Sequence, residues 1–288
     1  MRVKSFAKIN LGLEVLRRRD DGYHEIRTLF QTIDFWDSLE FRPISKNAIV
    51  LSGTDKTIPW DERNLIHRSA LLLKERFKVA AGVKIRVTKN IPAGTGLGGG
   101  SSNAAMTLYT LNRIWELRLK KAELMEMARS LGADVPVFLE GGLCLGLGRG
   151  DRIIPLEEAR EFTCLLVLPP FSISTSAVYG KVLSSLTSGP KDSKIVRFLS
   201  SRDFGLLEND LEKIAFRSHP QLKAIKSLIQ DQGSELSLVS GTGSCVFGLF
   251  QEKGKIARAL ERLAEHGSVH IAKSLSREGY WESIHSGV

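Results

Sequence analysis

Cysteine is scarce: the 288-residue chain has three, Cys144, Cys164 and Cys245, far apart and each set in apolar sequence. That excludes a disulfide framework and a thiolate metal cage, and reads as reduced core thiols of a cytosolic protein. No stretch reaches the roughly 18 uninterrupted apolar residues of a membrane span. The opening run Met1-Arg2-Val3-Lys4-Ser5-Phe6 lacks the apolar centre of a signal peptide. Internal repeats and low-complexity tracts are missing as well. So is any basic stripe interleaved with aromatics, which makes nucleic acid the lesser reading of the charge. That charge is +9, from 41 basic and 32 acidic residues, and suits nucleotides or phosphorylated metabolites equally well. The remaining composition, 42% hydrophobic and 25% charged, is that of an ordinary globular chain, long enough for two modest domains or one large one.

What is abundant is glycine in one place. In Ile91-Pro92-Ala93-Gly94-Thr95-Gly96-Leu97-Gly98-Gly99-Gly100-Ser101-Ser102-Asn103, five of the seven positions from Gly94 to Gly100 are glycine. A segment without Cβ atoms turns sharply and brings backbone N–H groups close to a bulky anion. Ala104, Leu108, Leu111 and Trp115 then share a helical face, with Ser101 or Ser102 as the expected N-cap. A glycine loop running into a helix N-terminus is a phosphate cradle. Two other patterns compete. Gly94-x-Gly96-x-x-Gly99 satisfies the dinucleotide fingerprint, with Glu116 at the spacing of a ribose-binding acid, but Asn90-Ile91-Pro92 separates it from the preceding strand. The Walker spacing also occurs, yet Gly100 stands where its lysine belongs. A phosphate loop of another kind is the preferred reading, with a plain structural turn as its bland alternative.

Along the chain, strands are expected at residues 9–16, 25–35, 48–52, 83–87, 141–150 and 164–168, and helices at 64–77, 104–115 and 121–131, the last ended by Gly132. The polar stretch 183–202 reads as a mobile excursion. Beyond it lie elements at 206–214 and 222–232, a strand–glycine–strand unit at 237–250, a charged helix at 255–266 and a last strand at 270–274. Mixed elements without regular βαβ alternation argue an α+β protein in two halves, divided near residues 156–161.

Three smaller features bear on chemistry. Ser240-Gly241-Thr242-Gly243-Ser244 is either a bulged hairpin or a second loop closing over a phosphoryl group. Lys8 and Asn10 share a strand face. Asp134, between a helix end and Pro136, is either a turn residue or a base. Phosphoryl transfer to an alcohol needs an acceptor for the hydroxyl proton and cations beside the migrating charge, and Asp134 and Lys8 fit those roles.

Taken together, Ala7-Lys8-Ile9-Asn10-Leu11, the run from Pro92 to Ser102, Gly132-Ala133-Asp134-Val135-Pro136 and Gly241-Thr242-Gly243-Ser244 resemble the GHMP small-molecule kinases. The resemblance runs in order along nearly the whole chain. Asp21-Gly22-Tyr23-His24-Glu25 and Leu131 to Phe138 are similar to the branch that phosphorylates a cytidine diphosphate sugar-alcohol in isoprenoid precursor synthesis; a mevalonate or phosphomevalonate kinase is the alternative. The resemblance implies an N-terminal domain like domain 2 of ribosomal protein S5 (residues 1–157) and a ferredoxin-like C-terminal domain (158–288). It implies ATP with its phosphates on Pro92, Ala93, Gly94, Thr95, Gly96, Leu97, Gly98, Gly99, Gly100, Ser101 and Ser102, and Mg²⁺ bridging those phosphates. Its metal ligand is unassigned beyond Ser102 as one option. Lys8 and Asp134 would be the catalytic pair, Asp134 taking the proton of the erythritol C2 hydroxyl. Asn10 and Thr175 would orient the acceptor, whose cytosine would stack on Tyr23, be recognised at His24 and face Tyr179. Core packing is the bland reading of both tyrosines, and a satisfied turn histidine that of His24. Small-molecule substrates alone are expected, without nucleic acid, membrane or an obligate protein partner. Phe6 departs from the proline usual before Ala-Lys in this family, and residues 183–202 match it poorly.

Overall fold

A long hairpin sets the frame. In the computed structural model, which describes residues 1–182, 193–251 and 253–286, β1 (Arg2–Arg18) and β2 (His24–Ile44) pair antiparallel from Arg2↔Glu40 to Arg18↔His24. Both outrun the strands expected at 9–16 and 25–35. The physical reason is burial on both faces, which fills β1 from Ser5 to Val15 with buried side chains and erases the alternation that marks a strand. The first half of β2 also pairs with β5 (Leu143–Gly148) and its second half with β4 (Gly82–Thr88). β3 (Ile49–Gly53) lies parallel to β4, and β6 (Arg152–Pro155) closes the other side of this six-stranded sheet.

Three helices cover one face of that sheet. α1 (Leu65–Phe77) is capped by Asn64, whose side chain accepts the Ile66 amide at 3.0 Å. α2 (Gly99–Ile114) and α3 (Lys121–Leu131) follow, and with α1 they bury Leu73, Leu108, Leu111 and Met127 against Leu39, Phe41, Val83 and Ile85. Gly132 does end α3, but with φ 173, an extended conformation and not the left-handed one.

The second half is a split βαβ unit. Its sheet has the spatial order β10 (Ser268–Lys273), β7 (Thr163–Leu168), β9 (Val246–Phe250), β8 (Leu236–Val239), all antiparallel. In chain order, helices intervene between β7 and β8 and again, as α8 (Lys253–Leu263), between β9 and β10. This is the ferredoxin-like βαββαβ pattern with strands ordered 4-1-3-2. The first connection holds α4 (Thr175–Tyr179), α5 (Lys194–Ser201), α6 (Glu212–Ser218) and α7 (Gln221–Asp231). Of the stretch expected to be an excursion, 183–192 lies outside the described residues, whereas the rest is largely the helix α5, capped by Ser193.

Alternation within the second sheet decides what each face buries. Cys164, Leu166, Phe247 and Leu249 meet Ala7, Ile9, Leu11 and Leu29 of the first sheet. Leu165, Val167, Val246 and Phe250 meet Leu222, Ile225 and Ile229 behind. The two halves therefore share an apolar layer. The chain's end also crosses back: α9 (Arg277–Ser283) seats Tyr280 and, just beyond it, Ile284 in the first core, and the Ile284 carbonyl accepts the Lys4 amide at 2.8 Å.

Candidate active site

β1 offers its outer edge to the elements that build the site. The Lys8 amide donates to the Leu97 carbonyl at 3.0 Å, and the Asn10 amide donates to Ser240 Oγ at 3.3 Å. With Ala7, Ile9 and Leu11 in the shared apolar layer, strand alternation turns Lys8 and Asn10 the other way, into a cleft of about 830 Å³ between the halves.

The glycine loop is held by its carbonyls. Those of Gly94, Thr95, Gly96 and Leu97 accept from the Ile173 amide, the Cys245 amide, Ser240 Oγ and the Lys8 amide respectively. None of the hydrogen bonds among the described residues uses an amide N–H between Gly96 and Ser101. With the carbonyls bound inward, the amides are what the loop can present to an anion. Gly94, Gly96 and Gly98 have φ of 71, 78 and 72, the left-handed region that favours glycine. A Cβ on Gly98 would sit 2.8 Å from the Phe138 ring and 3.2 Å from Lys8 Cε.

The expected serine caps are not where the helix starts. α2 begins at Gly99 with Gly98 as its N-cap and no side-chain capping bond, so the first-turn amides are not consumed by the chain. Ser102 lies inside the first turn, fully buried, its hydroxyl accepting from Ser5 Oγ at 2.7 Å. Behind it, Asn103 Nδ2 donates to Ser5 Oγ and to Asp37 Oδ2. Asp37 also accepts the Asn90 and Ile91 amides at 2.8 and 2.9 Å and pairs with Lys89. One buried carboxylate thus ties the loop's entry to the helix that leaves it. Sequence reading misses Asp37, since a lone acid within a β-strand reads as solvated.

Lys8 Nζ is buried, 3.3 Å from Asp134 Oδ2 and 2.5 Å from Asn10 Oδ1, and lies over the Phe30 ring. Asn10 is fixed in turn by Thr28, to which its Nδ2 donates at 2.8 Å. Asp134 stands on the turn after α3, closed by the Val135 amide donating to the Gly132 carbonyl and anchored by the buried Val135 and Phe138. Its carboxylate is partly exposed to the cleft. Lys8, Asp134 and the Gly98 turn are contiguous.

The second glycine cluster faces the first. Besides the Ser240 and Cys245 bonds, a Cβ on Gly241 would lie 3.1 Å from Asn10 Oδ1. Thr242 Oγ1 is 3.2 Å from Thr175 Oγ1, which places Thr175 at the same wall. Farther along the cleft, the His24 and Tyr179 rings stack with centroids 5.5 Å apart. Burial and, after it, the Arg18 charge lower the His24 pKa; burial and the Asp134 charge raise that of the Tyr179 phenol. Tyr23 is 54% exposed at the cleft, with the Arg149 guanidinium 4.8 Å from its ring centroid. Arg18 and Arg149 also line the cleft and escape sequence reading; the only signal for Arg149 is its position between two glycines in a turn.

The chain matches known proteins along most of its length. The family model described as the GHMP kinases N terminal domain matches residues 64–142, and that of the GHMP kinases C terminal matches residues 196–269. The 4-diphosphocytidyl-2-C-methyl-D-erythritol kinase of Caldicellulosiruptor bescii is 38% identical over 91% of this chain and 94% of its own. A crystal structure of a 4-(cytidine 5′-diphospho)-2C-methyl-D-erythritol kinase superposes with a TM-score of 0.82 at 34% identity, over 95% of this chain and 99% of that one. The mevalonate kinase of Methanococcus jannaschii, at 16% identity and a TM-score of 0.69 over 95% of this chain and 98% of its own, shares the fold.

Proposed function

Because the chain belongs to the GHMP kinases, and within them to the 4-diphosphocytidyl-2-C-methyl-D-erythritol kinases, we propose that it transfers the γ-phosphoryl group of ATP to the C2 hydroxyl of 4-diphosphocytidyl-2-C-methyl-D-erythritol, in the non-mevalonate route to isoprenoid precursors. One observation carries the reading: a carboxylate, a buried ammonium and an amide-presenting glycine turn meet at a single point of the cleft.

The steps follow from that arrangement. ATP phosphates lie on the run from Pro92 to Ser102, their charge met by the α2 N-terminus. Asp134 accepts the C2 hydroxyl proton as the new O–P bond forms and the bond to the β-phosphate breaks, releasing ADP. Lys8, held by Asn10 and Asp134, offsets charge on the transferring group. Tyr23, His24 and Tyr179 take the cytosine end, and Thr175 with Asn10 orients the alcohol. Mg²⁺ belongs to the nucleotide substrate. Among the described residues no group of three or more His, Cys, Asp or Glu side chains could hold a metal ion, and the Ser102 hydroxyl is sequestered behind the loop. A divalent cation arriving with the nucleotide would offset charge on its phosphates.

The test is a substrate panel. Purified protein with MgATP phosphorylates the cytidylyl compound and leaves mevalonate and phosphomevalonate unchanged; phosphorylation of mevalonate in place of the cytidylyl compound would overturn the assignment.

A further inference from the structure

The ring that is to receive a pyrimidine is exposed, and exposed rings rotate unless something fixes them. Tyr23 stands at the tip of the β1–β2 hairpin, after Gly22 at φ 83. Its backbone is fixed: the Tyr23 amide donates to Asp21 Oδ1 at 3.1 Å, and Asp21 is gripped by Arg19, which also pairs with Glu25. The side chain is 54% exposed. What lies against its ring comes from the β5–β6 turn, where Gly148 and Gly150, with φ of 71 and 92, flank Arg149.

Arg149 is itself aimed. Asp151 Oδ2 accepts from its Nη2 at 2.7 Å and its Nε at 3.2 Å, and Asp151 Oδ1 accepts the Arg149 amide at 3.3 Å. The guanidinium is held by the carboxylate and lies over the Tyr23 ring, 4.8 Å from its centroid. A cation placed over one ring face leaves the other face to the cleft. The charge is already offset by Asp151, so Arg149 is poorly suited to be a bare seat for a phosphate and well suited to be a stacking plate.

We infer that Arg149, oriented by Asp151, is a positioning residue that fixes the Tyr23 ring for the base of the acceptor, so that affinity for the cytidylyl substrate depends on Arg149 through that ring. The inference rests on the proposed stacking of the base on Tyr23. A lysine would not substitute: it keeps the charge but loses the planar face and the two-bond grip on Asp151.

The experiment is a double-mutant cycle on the full chain, with kcat and KM for both substrates and the thermal midpoint of each variant. Tyr23→Ala raises KM for the cytidylyl substrate by at least tenfold while KM for ATP stays within twofold. Arg149→Ala raises the former by about two- to fivefold, the size of an exposed cation–ring contact. Asp151→Asn shifts it in the same direction, and Arg149→Lys recovers less than half of the loss. In the Tyr23→Ala background, Arg149→Ala and Asp151→Asn add nothing. Full additivity would mean that Arg149 binds the substrate directly and would overturn the inference while leaving the stacking intact. Equal rises in KM for ATP would overturn it too, as a general structural defect. No change in Tyr23→Ala would end the stacking reading and this inference with it.

Discussion

Lys8 is the residue whose burial needs an explanation. An ammonium taken out of water is costly unless charges and acceptors surround it, and here Asp134 Oδ2, Asn10 Oδ1 and the Phe30 ring do so. A buried ion pair is weak evidence for stability, so an ammonium placed at the cleft beside a carboxylate speaks for chemistry. His24 gives a pH signature at the same scale. Burial and the nearby Arg18 charge hold its folded pKa below the ordinary 6.5. The neutral ring is therefore the form the fold favours, and the stability linked to it is present above 6.5 and lost as the pH falls through the folded value. In the folded enzyme the ring gains its proton only below 6.5, so KM for the cytidylyl substrate is flat down to the folded value and climbs as the pH falls through it, whereas KM for ATP does not follow. The pH profile of His24→Asn checks this, since the acidic rise disappears in that variant; an unchanged rise would assign it to another group.

At the scale of elements, the site is two glycine turns clamped across the outer edge of β1. Gly96 shows how tight the clamp is: a Cβ there would lie 1.9 Å from the Ser240 carbonyl oxygen, at a φ of 78 that disfavours any side chain. Gly96→Ala must therefore separate the loops. The expected result is a KM for ATP raised by at least tenfold and a destabilisation of about 1–3 kcal/mol, read by ATP titration and thermal melts. Unchanged ATP affinity would mean that the loop does not hold the phosphates. Much of this was legible beforehand. The glycine run, Lys8 with Asn10, and Asp134 after a helix end are all local patterns, and α3 falls at the expected residues 121–131. What was not legible depends on partners distant in sequence. The cap of α2 lies at Gly98 because Phe138 and Lys8 leave no room for a side chain there, and Asp37 matters only because Lys89, Asn90, Ile91 and Asn103 converge on it. β1 hid its length because both faces are buried, and the short elements β6, α4 and α9 were missed because each is too brief to show a period.

For the whole molecule, the shared apolar layer joins the two halves along the cleft, and the returning tail packs into the first core. Tyr280 is fully buried in the first core, donates to the Phe138 carbonyl at 2.7 Å and packs on Phe6. Phe138 in turn touches the Gly98 turn, so the tail supports the segment that carries Asp134. Tyr280→Ala is expected to lower stability by about 3–5 kcal/mol, measured by denaturant unfolding, with the loss in ATP turnover tracking the unfolded fraction. The central claim, that Asp134 deprotonates an alcohol held against an amide-lined phosphate seat, is tested most directly by Asp134→Asn, which keeps the shape and removes the base. Rapid-quench turnover with MgATP and the cytidylyl substrate should fall by about 10²–10⁴-fold, with the dissociation constant for ATP within threefold of the parent. Turnover within threefold of the parent in a folded variant would contradict it.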